Sequence, residues 1–321
     1  MEKKVLKPED TYIKSNATVK VTKMKHIVEV QYMEKRNTKA NIKKLNAEKY
    51  IDLSTGEVKE FERTENRSQG MNSLRKTFNR LRELINTNFE GSKNELFITL
   101  TYRGDLQTND TKKVYEDFKN FMKRLKYKFK NDSTIDYINV LEPHASGNFH
   151  MHVLMRFNEL DKVYIPNEEL ARVWGNGYVK VQSLQGVDNI GAYVSAYLAD
   201  IEIEGETAKN LEGHKDLVEK EVNGSTKKFL KGGRLHFYPT GVNIYRKSKG
   251  IEEPEKALMS YEKAQKKLGG ATPNFKYGIE LNDTEKDFRN TIIKEQYNLK
   301  RDKNKERLEN RSYTVFGKEG L

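Results

Sequence analysis

Cysteine is absent from the 321 residues. Disulfides and cysteine-ligated zinc are therefore excluded, and a reducing compartment suits the chain. No apolar run approaches the 18 residues of a membrane-spanning helix. The N-terminus is lysine-rich and lacks an apolar core, so a secretory signal peptide is not expected. A cytoplasmic protein with no membrane partner is the expectation. No internal repeat is found.

Basic charge is plentiful. The formal net charge is +12, which suits a polyanionic partner. The charge is uneven. Residues 1–90 carry 20 Lys/Arg against 13 Asp/Glu, residues 91–200 carry 14 against 14, and residues 201–321 carry 25 against 20. The balanced middle is where chemistry is expected.

Apolar periodicity predicts an α+β chain: an antiparallel sheet with flanking helices and terminal extensions. Residues 12–33 read as one or two strands through Ile27, Val28, Val30 and Tyr32, and residues 36–66 lack a period. Helices are predicted over 73–86 and 111–129. The second has Val114, Phe118, Phe121, Met122, Leu125 and Phe129 on one face. Its lysines, with Lys123 and Arg124 among them, read either as a solvated face or as DNA backbone contacts.

Strands are predicted at 97–102, 135–142, 148–157 and 178–183, the middle two forming a hairpin around residues 143–147. Short helices are predicted at 167–174 and 188–199. Residues 202–233 read as a polar inserted loop with room for a short helix, 234–249 as strand-like, and 254–268 and 283–311 as charged helices. Three regions result: an N-terminal extension at 1–90, a catalytic domain at 91–250, and a charged helical C-terminal region at 251–321.

The segment 148–157 is the most informative. Side chains alternate across a strand, so one face would hold Phe149, Met151, Val153, Met155 and Phe157, all apolar. The other would hold Asn148, His150, His152, Leu154 and Arg156. His150 and His152 could be ordinary strand residues. The apolar back face and Glu142, at the end of the partner strand, favour a shared metal site. One carboxylate and two imidazoles suit magnesium or manganese, with water and phosphate oxygens filling the remaining positions. His144 reads as a surface residue, and His26, His214 and His236 have no evident partner.

Tyr193 and Tyr197 lie four apart on the helix 188–199 and point the same way. They read either as core aromatics or as nucleophiles able to attack phosphorus and form a covalent phosphotyrosine. Two phenols one turn apart would allow successive opening and closing of a strand.

These segments together resemble the HUH endonucleases, in particular the rolling-circle replication initiators of phages and plasmids with two tyrosines. His150-Met151-His152 after Glu142 resembles the metal motif. Residues Phe97-Ile98-Thr99-Leu100-Thr101-Tyr102 resemble the first motif, and Tyr193-Val194-Ser195-Ala196-Tyr197 the tyrosine motif. Val173-Trp174-Gly175-Asn176-Gly177-Tyr178-Val179 and Tyr245-Arg246-Lys247-Ser248-Lys249-Gly250 resemble further phage-type segments. The likeness spans roughly 70–250 in the family's order.

The resemblance implies a ferredoxin- or RRM-like sheet, single-stranded or extruded origin DNA as substrate, and a 5′-phosphotyrosine intermediate. It also implies a freed 3′-hydroxyl that primes replication, with host helicase and polymerase as partners. One departure stands out. The family places a lysine three residues after a tyrosine, where this chain has Ala196 and Asp200. Arg246, Lys247 and Lys249 are candidate replacements. The competing readings are a DNA-binding protein impaired in catalysis, a relaxase or single-strand transposase of the same chemistry, and an RNA-binding sheet domain.

Overall fold

Alternating apolar residues in short segments divided by turns produce antiparallel sheets, and stripes at helical spacing cover their faces. The fold is α+β, as the order of elements predicts. The structure is a computed structural model that describes residues 2–36, 41–46, 48–61, 71–143, 148–199, 201–203, 217–222, 225–230, 238 and 241–301. Among these residues, no helix is long and apolar enough to cross a membrane. The chain forms two compact units: Thr64–Glu253, and Met1–Arg63 with Pro254–Leu321.

In the unit 64–253 the elements run α1 (Met71–Asn88), β1 (Glu95–Tyr102), α2 (Thr111–Lys128), β2 (Ile135–Pro143), β3 (Phe149–Phe157), α3 (Asn167–Trp174), β4 (Gly177–Ser183), α4 (Ile190–Ala199) and β5 (Tyr245–Lys247). The sheet order is β4-β1-β3-β2-β5, antiparallel throughout. Each helix and each of the first four strands matches its predicted place within a few residues. The strand-like reading of 234–249 narrows to Tyr245–Lys247 among the described residues.

Period-2 alternation splits the core into two layers. Ile98, Leu100, Met151, Val153 and Met155 pack under α2 and α3 through Val114, Phe121, Leu170 and Trp174. Phe97, Ile138, Val140 and Leu154 pack under α1 and α4 through Leu81, Ile85, Ile190 and Val194. Each fully buried side chain of this kind stabilises the fold by about 1.5–3 kcal/mol. Asp110 caps α2 by accepting from the Lys112 amide at 2.8 Å. Gly175 closes α3 at φ 74°, a left-handed conformation that favours glycine.

A polar network closes the far end of the sheet. Arg156 donates to the Asn88 carbonyl and to Asp136, and Asn158 and Ser248 also donate to Asp136. Burial would raise the Asp136 carboxyl, but the hydrogen bonds of Asn158 and Ser248 and the Arg156 charge outweigh it and lower its pKa. A carboxyl lowered in the folded state stabilises above its unfolded value of about 3.9, and that contribution is lost as pH falls through the folded value. Asp136→Asn is therefore expected to cost about 1–3 kcal/mol at neutral pH. The gap to the parent protein should close in acid. Chemical denaturation at pH 7 and below pH 3 checks both.

The described parts of the predicted insertion form a three-stranded antiparallel sheet of Ile201–Ile203, Leu217–Val222 and Ser225–Leu230.

The other unit brings residues 2–33 and 255–298 into one antiparallel sheet. Its strands lie in the order Glu2–Val5, Phe275–Asp283, Phe288–Asn298, Ile27–Met33, Thr18–Met24 and Glu255–Ser260. A helix α5 (Tyr261–Leu268) packs Ala264 and Leu268 on Val19, Val30 and Ile293. Two expectations are corrected. The helix predicted over 254–268 begins only at Tyr261, after a strand. The helix predicted from 283 is instead the strand Phe288–Asn298; residues 302–311 lie outside the described residues. Residues 36–66, in which the sequence shows no period, contain the three-stranded sheet Ile42–Lys44, Lys49–Asp52 and Val58–Glu60.

Candidate metal centre and neighbouring tyrosine

The hairpin β2–β3 builds the centre. Its register pairs Glu142 with His150 and Val140 with His152. Paired residues point to one face and the face repeats every second residue, so Glu142, His150 and His152 project together. The apolar face of β3 lies against the opposite layer, as the sequence predicts.

The three side chains converge. His150 Nε2 lies 2.6 Å from Glu142 Oε2, and His152 Nε2 reaches the same oxygen. One ligand atom from each residue lies within 4.8 Å of the others. Glu142 is 1% exposed and His152 is fully buried, whereas the His150 side chain keeps 13% of its surface. The group is thus open to solvent on the His150 side alone. Burial would raise the Glu142 carboxyl. Hydrogen bonds from His150 and His152, and their charge, outweigh it and hold the carboxyl well below the usual carboxylate range.

Strand β1 adds two supports that sequence reasoning missed. Thr99 pairs with His152, and its hydroxyl lies 3.1 Å from His152 Nδ1. When Nδ1–H donates to that hydroxyl, the Nε2 lone pair is left for a cation. Phe97, two residues away on the same face, stacks on the His152 ring with centroids 5.5 Å apart. The signal lay in the β1 alternation, where Phe97 and Thr99 share a face.

The donor set fits a metal ion. Two imidazole nitrogens and an ionised carboxylate share one point, and a buried carboxylate without a cation relies on protons held by the rings. This buried Glu-His-His group could hold a metal ion.

Tyr193 belongs to the same face. Its ring meets Phe97 edge-on at 6.4 Å, so one ring separates it from His152. It is 43% exposed. Helix α4 is drawn close to α1 by Gly191, whose amide donates to Asn86 at 2.7 Å. A Cβ there would fall 2.6 Å from the Arg82 carbonyl oxygen, so only glycine permits this approach. Tyr197 follows one turn later on α4. Its side chain, that of Ala196, and Asp200 lie outside the described residues, as do His144, His214 and His236.

The candidate DNA-contacting side chains are dispersed. Lys123 is exposed on α2, on the opposite face of the sheet from the centre. Arg124 donates to the carbonyls of Val173 and Trp174, tying α2 to the end of α3. The Arg246 guanidinium lies 3.4 Å over the Tyr115 ring of α2. Lys247 donates to the Ile251 carbonyl at 2.8 Å and pairs with Glu253. Lys249 is exposed and lines a cleft with Lys126, Lys130 and Tyr137.

No curated protein and no solved structure matches the chain. The segment 95–202, about a third of the chain, runs from β1 through α4 and so includes Glu142, His150, His152, Tyr193 and Tyr197. That segment matches the family model of the replication-associated protein ORF2, a likeness consistent with a replication initiator.

Proposed function

We propose that the chain is a rolling-circle replication initiator of the HUH type, in the two-tyrosine branch, that nicks and rejoins single-stranded origin DNA. The observation that carries this reading is the Glu142, His150 and His152 group with Tyr193 on the same sheet face, all inside the family-matched segment. Residues 91–250 form the catalytic part in this reading, and the basic ends hold DNA.

Glu142, His150 and His152 would hold magnesium or manganese, which supplies Lewis-acid polarisation of the scissile phosphate when bound. Thr99 and Phe97 keep the His152 ring oriented. The Tyr193 or Tyr197 oxygen attacks phosphorus; the new O–P bond forms as the bond to the 3′-oxygen breaks. The phenol proton passes to solvent, and the leaving oxygen takes up a proton as the 3′-hydroxyl primer. The phosphotyrosine conserves the ester energy, so the other tyrosine or a DNA hydroxyl can reverse the step without ATP. Host helicase and polymerase would extend the primer.

The test is incubation with single-stranded origin oligonucleotide and manganese, followed by denaturing gels for a covalent protein–DNA adduct. An adduct that needs metal supports the reading. Binding without any adduct favours the second reading, a catalytically impaired origin-binding protein, which Ala196 and Asp200 in place of the family's lysine support.

A further inference from the structure

In the unit of residues 1–63 and 254–321, the sheet face opposite α5 carries a line of side chains in register. The pairings Tyr277 with Lys294, Lys294 with Gln31, Gln31 with Lys20, and Lys20 with Leu258 run unbroken across five strands. Directly paired residues share a face. Val19, Val30 and Ile293, which pack against α5, alternate with this line and face the other way. At a strand spacing of about 4.8 Å, the line is roughly 19 Å long.

Two features mark this face. The first is an aromatic step at one end. Phe275 lies on the same face two residues before Tyr277, and the rings stack at 6.4 Å with an interplanar angle of 16°. Phe275 is 58% exposed, and Leu258 at the other end of the line is 66% exposed. The second is charge. Lys294 is exposed and Lys20 half-buried, and neither pairs with a carboxylate among the described residues. The unit carries 30 Lys/Arg against 21 Asp/Glu, a net of +9 out of +12 for the chain.

We propose that this face is a binding platform for single-stranded DNA. Bases of a single strand offer their flat faces to exposed rings, and its phosphates meet ammonium groups spaced along the path. A duplex buries its base faces and cannot use the Phe275–Tyr277 stack. An acidic peptide would use the lysines and leave the rings idle. The proposal rests on the preceding functional reading only for the presence of single-stranded DNA. The platform itself is formed by neither the metal group nor the tyrosines of α4.

The experiment uses the full chain and a fluorescein-labelled, mixed-sequence 20-nucleotide strand, read by anisotropy in EDTA so that no cleavage intervenes. Phe275→Ala with Tyr277→Ala is expected to weaken single-strand binding at least tenfold and leave binding of the matching duplex unchanged. Tyr277→Phe, which keeps the ring, should bind like the parent. Lys20→Gln with Lys294→Gln is expected to reduce the slope of log affinity against log salt by about 1.4. Unchanged single-strand affinity in both double variants, or an equal loss on duplex in the aromatic one, overturns the platform. Nicking of saturating oligonucleotide is measured separately. A parent protein that never nicks refutes the initiator reading, and the anisotropy still decides the platform.

Discussion

His152→Ala is expected to remove metal-dependent nicking while leaving salt-dependent DNA binding in place. The substitution takes away one of three donors that converge on a point, and with it the charge stabilisation a bound cation gives. That stabilisation is worth several kcal/mol, on the order of 10³-fold in rate. It also leaves the Glu142 carboxylate, 1% exposed, with His150 as its remaining ring partner. Breaking a buried charge pair costs about 3–5 kcal/mol, so a lower melting temperature should accompany the loss. His150→Gln separates the two effects. Its side chain reaches solvent, so the variant should fold like the parent, yet lose manganese binding by paramagnetic resonance and lose nicking. DNA affinity should keep its salt slope in both, because neither substitution removes a lysine or arginine that could neutralise a phosphate. Nicking at the parent rate in either variant ends the metal assignment.

The Glu142, His150 and His152 group was legible because it is local. The alternation of 149–157 orients both histidines, and a hairpin places Glu142 beside them whatever the rest of the chain does. The amphipathic helix α2 was legible for the same reason, since its buried face is the predicted stripe from Val114 to Leu125. Apart from the strands read within 12–33, the terminal unit was not legible, for two physical reasons. Its sheet is made by pairing residues 27–33 with 292–298, and no pattern within either segment announces a partner so distant. Its longest strand also buries carboxylate and amide groups. Glu295 is 2% exposed and accepts from Tyr261 and Tyr297, with Lys276 beside it at 3.2 Å. Asn290 is buried while exchanging hydrogen bonds with the Lys35 backbone. Polar residues at these positions break the apolar alternation, and the Lys and Glu content then reads as helix. Tertiary hydrogen bonds override that propensity.

Tyr193→Phe with Tyr197→Phe is expected to eliminate the covalent adduct altogether, a fall of at least about 10³-fold, since the nucleophile has no substitute within the motif. Phenylalanine keeps the edge-on contact of residue 193 with Phe97, so α4 and the His152 stack should stay in place and the melting temperature should not move. The single variants then order the two phenols. Among the described side chains, Tyr193 is the phenol that meets Phe97, the ring stacked on His152, and it remains open to solvent, so Tyr197→Phe should retain the first adduct and Tyr193→Phe should lose it. An oligonucleotide labelled at its 3′ end gives the readout, because the 5′-phosphotyrosine keeps that half of the strand on the protein in a denaturing gel. Label left on the double variant would place the nucleophile outside α4. Label lost with Tyr197→Phe alone would reverse the order of attack. In that case the Phe97 contact holds Tyr193 as the second phenol, which receives the strand when the circle is closed.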